Sequence, residues 1–135
     1  MKSKKSKKPT LAFATMCKNE EHCIKECLES VAPYVDYILV NDTGSTDDTV
    51  KIVNKFLEET GIPGEVFETE WVAFDVNKNQ MMNQVKDKTD YVIHFDSDDY
   101  LRGDFDPTEL ESRLDQYQMT MIRGNSSYSC SLIYN

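Results

Sequence analysis

The chain has 135 residues, which suits one α/β domain with a real core but is short for an enzyme that holds two substrates. The apolar fraction is 39%, and no apolar run approaches the roughly 20 residues that span a bilayer, so a soluble intracellular domain without a membrane segment is expected. Five lysines lie between Lys2 and Lys8 with no apolar stretch after them, and the rest of the chain has ten basic residues against twenty-four acidic ones, about −14. So acidic a body argues against a nucleic-acid binder, and it would meet phosphates through a divalent cation.

Residues 1–9 read as a disordered basic tail and residues 10–135 as one domain. Leu11 to Met16 form a short apolar run leading into a polar segment, a buried first strand. Ile24, Cys27, Leu28 and Val31 then recur at helical spacing until Pro33. Tyr37-Ile-Leu-Val40 gives a second strand that runs into a loop over 41–47. Ser45 and Asp48 resemble a capping signal for a helix striped by Val50, Val53, Phe56 and Leu57 and ending near Gly61. Glu65 to Thr69 alternates as a third strand. An aromatic loop with Trp71 and Phe74 precedes a helix from about Asn77 to Lys86, and Tyr91 to Phe95 is a fourth strand that delivers Asp96.

This alternation predicts a mostly parallel sheet with helices on both faces, a Rossmann-like arrangement whose ligands sit at the strands' carboxyl ends. Asp106-Pro107-Thr108-Glu109 opens a further helix, and residues 119–122 and 129–134 read as two more strands joined near Gly124-Asn125.

Asp96 and Asp98 are two residues apart, so a continuing strand would turn both carboxylates to one side, where they would converge on one hard cation. Mg²⁺ or Mn²⁺ bound by so few protein oxygens keeps exchangeable positions for a substrate's phosphates. An EF-hand is excluded, because Tyr100, Leu101 and Pro107 stand where that loop needs an oxygen ligand, a glycine and a bidentate glutamate. An aspartyl phosphatase would carry its Asp-x-Asp after the first strand. Asp42, Gly44 and Ser45 lie on the same ligand edge, and Asp42 could accept hydrogen bonds from a base or a ribose. A turn with a helix cap explains the same loop. Glu20 equally favours a helix N-terminus.

Cys17, Cys23, Cys27 and Cys130 come without secretory context and are expected to be reduced. His22, Cys23 and Cys27 are not expected to bind zinc, since positions 22 and 23 point in different directions on a helix and no second cluster completes four ligands. Trp71, Phe74 and His94 read as packed residues.

Four segments in this order, Cys17-Lys-Asn-Glu-Glu21, Val40-Asn-Asp-Thr-Gly-Ser-Thr-Asp-Asp-Thr49, Trp71-x-x-Phe74 with Lys78-Asn79, and Asp90-Tyr-Val-Ile-His-Phe-Asp-Ser-Asp-Asp99, resemble the successive motifs of family-2 glycosyltransferases with the GT-A fold. The resemblance covers about residues 10–103, the nucleotide-binding half of that fold. It implies a pocket for base and ribose lined by the backbone around Thr15, Met16 and Cys17 with Asn19, Glu20 and Asp42. The Gly44-Ser45 turn and Ser97 would border the nucleotide-sugar. Asp96 would reach the ribose or the metal's water shell, and Asp98 would bind Mn²⁺ or Mg²⁺ directly.

Lys78-Asn79 stands where the family usually has Arg-Asn, which keeps a cation but loses planar bidentate bonding. Asn41 and Thr43 are further departures. The implied activity is inverting transfer of a sugar from a nucleotide-sugar donor, UDP favoured, to an acceptor hydroxyl; the alternative is a non-catalytic nucleotide-sugar-binding module. The general base lies in the family's acceptor half, and Asp104, Asp106, Glu109, Glu111 and Asp115 sit in no acceptor-site motif. The acceptor side would be completed by further residues or a second protomer in a homo-oligomer.

Overall fold

The computed structural model describes residues 10–97 and the backbone of two later strands. In chain order the elements are β1 (Leu11–Cys17), α1 (Ile24–Val31), β2 (Tyr37–Asp42), α2 (Thr49–Thr60), β3 (Gly64–Glu68), α3 (Phe74–Val85), β4 (Tyr91–His94), β5 (Gln116–Arg123) and β6 (Ser126–Tyr134). They form one sheet in the order β3-β2-β1-β4-β6-β5. The first four strands are parallel, while β6 runs antiparallel to β4 and β5 antiparallel to β6.

The period of two along β1 sorts its side chains between two cores. Leu11, Phe13 and Cys17 pack with Ile24, Leu28 and Val31 of α1 and Val53 and Phe56 of α2. Ala12 and Ala14 face the other way, toward Met81 and Val85 of α3, where their small side chains leave room for a helix. Helices therefore cover both faces, as the alternating pattern predicts. Leu28 is fully buried, and removing its side chain would cost about 2–5 kcal/mol through lost transfer energy and the cavity left behind. Gly61 ends α2 in the left-handed region (φ 72°), its N–H donating to the Leu57 carbonyl at 3.0 Å.

The chain leaves β1 for β2 and β3 on one side, then returns through α3 to β4 on the other side of β1. This reversal separates the connections at the carboxyl ends of β1 and β4 and opens a crevice between them. At the opposite end, Thr10 donates from its N–H (2.9 Å) and hydroxyl (3.2 Å) to the Asp90 carboxylate, so β1 and β4 start in register.

Several boundaries differ from the sequence pattern, most by one residue. β2 runs through Asn41 to Asp42, because these polar residues still pair with β1 and β3. α3 begins at Phe74 rather than near Asn77, since the Asn77 side chain binds the turn ahead of the helix. The last two strands are longer than 119–122 and 129–134 and pair with each other. The expected tail over 1–9 and the helix opened by Asp106 and Pro107 lie outside the described residues. Among the described residues no helix is long and apolar enough to cross a membrane.

Candidate functional site

The loops after β1 and β2 are locked together by side chains binding backbone. Asn19 adopts the left-handed conformation (φ 54°) that asparagine tolerates. Its Oδ1 accepts from the N–H groups of Thr46 (2.7 Å) and Asp47 (3.2 Å), and its own N–H donates to Ser45 Oγ at 2.8 Å. The Glu20 N–H donates to Thr49 Oγ1 (2.8 Å), and its carbonyl accepts from Cys23 and Ile24 to start α1.

Asp42 is 1% exposed and acts within its own loop. Its Oδ2 accepts from the N–H groups of Gly44 (3.2 Å) and Ser45 (3.0 Å), while Oδ1 accepts from the Ser45 hydroxyl and from Cys17 Sγ at 3.7 Å. A carboxylate offers about four acceptor positions, so these contacts use Asp42 fully in this conformation. Burial, then the Asp42 carboxylate, pushes the Cys17 thiol far above the usual cysteine range. Ser45, read from sequence as a cap, serves Asp42 and Asn19 instead. Asp47 Oδ1 accepts from the Thr49 N–H at the start of α2.

Beneath the crevice, the Thr15 hydroxyl donates to the Phe95 carbonyl at 2.8 Å, and the Phe13 and Phe95 rings lie 4.7 Å apart. Both contacts hold the chain after β4 against β1, just before Asp96. On the other face His94 Nδ1 donates to the Ala14 carbonyl at 2.8 Å, which fixes the proton on Nδ1 because a carbonyl only accepts. Burial lowers the His94 pKa, and Lys78 adds to this, against the Ala14 bond and Asp96. The ring is therefore neutral at pH 7 and lies within electrostatic reach of Lys78 on α3 and of Asp96.

A cavity of about 490 Å³ opens at the carboxyl ends of β1 and β4. Met16, Cys17, Lys18, Glu20 and Thr43 line it from the first two loops, Trp71 and Phe74 from the segment before and into α3, and Asp96 and Ser97 from the end of β4. Asp96 is exposed and Ser97 buried. One ammonium against two carboxylates makes the lining acidic for a phosphate ligand, whereas an exposed carboxylate oxygen such as that of Asp96 suits a hard divalent cation. Asp98 lies outside the described residues.

Of the residues expected from sequence, Met16, Cys17, Glu20, Asp96 and Ser97 meet at this cavity. Thr15, Asn19, Asp42, Gly44 and Ser45 form the scaffold beneath and beside it, and Lys78 and Asn79 lie on α3 and are not among its lining residues. Lys18, Thr43, Trp71 and Phe74 are additions. Trp71 (52% exposed) and Phe74 (53%) are not packed residues, because fully buried Asn77 fixes their loop from below and leaves the rings outward. Its Oδ1 accepts from Val72 (2.8 Å) and Ala73 (3.2 Å), and its Nδ2 donates to the Glu70 carbonyl at 2.9 Å.

Comparison with known proteins agrees with this arrangement. The model of the family described as Glycosyl transferase family 2 matches residues 13–126. The SPbeta prophage-derived glycosyltransferase SunS of Bacillus subtilis (strain 168) is 31% identical over 93 residues, 69% of this chain and 21% of that protein. The chain thus spans about a fifth of the length of the curated relatives it matches. Among solved structures, S. aureus TarS 1-349 in complex with UDP superposes with a TM-score of 0.58 at 26% identity, over 67% of this chain and 28% of that one. The mannosyltransferase PcManGT from Pyrobaculum calidifontis, in complex with GDP-Man and Mn²⁺, gives a TM-score of 0.63 at 21% identity over 73% and 30%. That last likeness bears on the fold alone.

Proposed function

The chain belongs to glycosyl transferase family 2, and from that premise we propose that it is the donor-binding part of a metal-dependent, inverting glycosyltransferase using a nucleoside-diphosphate sugar, with UDP as the preferred nucleotide. The observation that carries this reading is the exposed Asp96 carboxylate on a cavity at the point where the strand order reverses. The relative TarS was solved with UDP and with UDP-GlcNAc, which supports the choice of nucleotide.

In this reading base and ribose lie against Met16, Cys17, Glu20 and Thr43, on a floor that Thr15, Asn19 and Asp42 hold in shape with the Gly44-Ser45 turn. Asp96 and Ser97 meet the ribose and diphosphate, and Lys78 with Asn79 supplies positive charge and an amide from the α3 side. Asp96 and Asp98 would hold Mn²⁺ or Mg²⁺, which offsets the charge that develops on the diphosphate as its bond to the sugar breaks. An acceptor hydroxyl attacks the anomeric carbon from the opposite face and loses its proton to a general base.

Among the described residues the only carboxylates lining the cavity are Glu20 and Asp96, which favours keeping a second reading, a nucleotide-sugar-binding module without turnover. Titration calorimetry with UDP and GDP, with and without Mn²⁺, tests the shared claim. Tighter UDP binding in Mn²⁺, lost in Asp98→Asn, is expected; no binding in excess Mn²⁺ would sink both readings. Release of UDP from UDP-sugars, absent from the same variant, separates enzyme from module.

A further inference from the structure

A second group of ligating atoms stands beside the cavity. Residues 21–23 form a turn rather than helix, since α1 begins only at Ile24. The helical spacing that would have turned His22 and Cys23 apart therefore does not apply, and Glu20 takes the place that buried Cys27 cannot fill. Cys23 Sγ donates to Glu20 Oε2 at 2.9 Å, His22 Nε2 lies 3.9 Å from the same oxygen, and one donor atom from each of the three residues lies within 4.8 Å of the others. The Ser97 carbonyl is 3.7 Å from Cys23 Sγ and offers a fourth donor.

We propose that Glu20, His22 and Cys23 form a site for a thiophilic divalent cation of the Zn²⁺ class, which clips the turn before α1 to the loop carrying Asp96. Donors around a tetrahedral zinc lie roughly 3.3–3.6 Å apart, so shifts of about 1 Å close the set, and His22, 72% exposed, is free to make them. The charge balances: the cation displaces the Cys23 thiol proton to solvent, and thiolate, carboxylate and neutral imidazole leave the centre uncharged. Sulfur and nitrogen donors select Zn²⁺ or Co²⁺ over Mn²⁺ and Mg²⁺, which separates this site from the all-oxygen pair Asp96 and Asp98. Because the liganding carboxylate also lines the donor cavity, the two sites touch without sharing a chemistry.

The test is cobalt titration of the full reduced chain, read as thiolate-to-cobalt charge-transfer absorption. One Co²⁺ per chain, displaced by Zn²⁺ but retained against equimolar Mn²⁺, is expected. Cys23→Ser should abolish the band while keeping the far-UV circular dichroism, since serine is a favourable residue at a helix start. His22→Ala, at an exposed position, should weaken Co²⁺ at least tenfold, whereas Cys130→Ser and Asp96→Asn should leave the band unchanged. No charge-transfer band, a band that survives in Cys23→Ser, or displacement by equimolar Mn²⁺ would overturn the proposal. None of these outcomes depends on nucleotide binding.

Discussion

Asn77→Ala removes a buried amide that holds three backbone groups of the segment carrying Trp71 and Phe74. The two accepted bonds (2.8 and 3.2 Å) and the one donated to Glu70 (2.9 Å) are each worth about 1 kcal/mol net. Alanine returns about 0.5 kcal/mol of helix propensity, leaving a loss of about 2–3 kcal/mol. At about 4 °C per kcal/mol for a domain of this size, Tm should fall by about 10 °C.

The chain has a single tryptophan, Trp71, so its fluorescence reports on this segment alone. Acrylamide quenching of Trp71 should rise in the variant at temperatures where the far-UV signal is still native. Asn77→Asp keeps the acceptor but sets an oxygen against the Glu70 carbonyl, and should lose stability as well. A Tm within about 2 °C of the parent, with unchanged quenching, would refute the assignment of this amide as the anchor of the loop.

His94, held neutral mainly by burial, titrates lower in the folded chain than its ordinary value near 6.5, so the unfolded chain binds more protons in mild acid. Its contribution to stability is therefore complete above about pH 6.5 and lost as pH falls; urea midpoints at about pH 7 and about pH 5.5 should differ less in His94→Asn, which can still donate to Ala14. In the native chain iodoacetamide should alkylate Cys23 faster than Cys17 or Cys27, both buried, as read by peptide mass spectrometry; equal rates would contradict the burial pattern. Gly64→Ala drives a Cβ into the Ile38 carbonyl oxygen, backbone that cannot swing aside, whereas Gly61→Ala meets no atom within 4 Å and carries only the left-handed strain of about 1–2 kcal/mol. Chemical denaturation should rank Gly64→Ala as the more damaging.

The sheet was legible because burial imposes a period that residue types must follow. Leu11, Phe13 and Ile93 could only be core, and the β-α repeat dictated parallel pairing. The inside of the loops was not legible. Asp42 looked like a ligand contact because its residue type and position suit one, yet whether its oxygens turn outward depends on the N–H groups of Gly44 and Ser45, which only the folded turn brings to it. For His22 and Cys23 the difference is one of frame, since the sequence reading set them on a helix and the chain holds them in the turn ahead of α1. Trp71 and Phe74 carry the apolar signature of core, and only the bonds of Asn77 reveal that their segment is held from beneath.

The contacts joining β1 to β4 also set an order of events. Thr10 with Asp90, His94 with Ala14 and Thr15 with Phe95 each bridge 80 positions of sequence. Closing so long a loop must be met in entropy before any of these bonds forms, which places the union of β1 and β4 late in folding. A chain folded only through β3 would hold the Asn19 and Asp42 loops in place and still have no second wall for the cavity. Amides around Phe95 should accordingly gain hydrogen-exchange protection after those of β2, making completion of the crevice a reporter of the whole domain having folded.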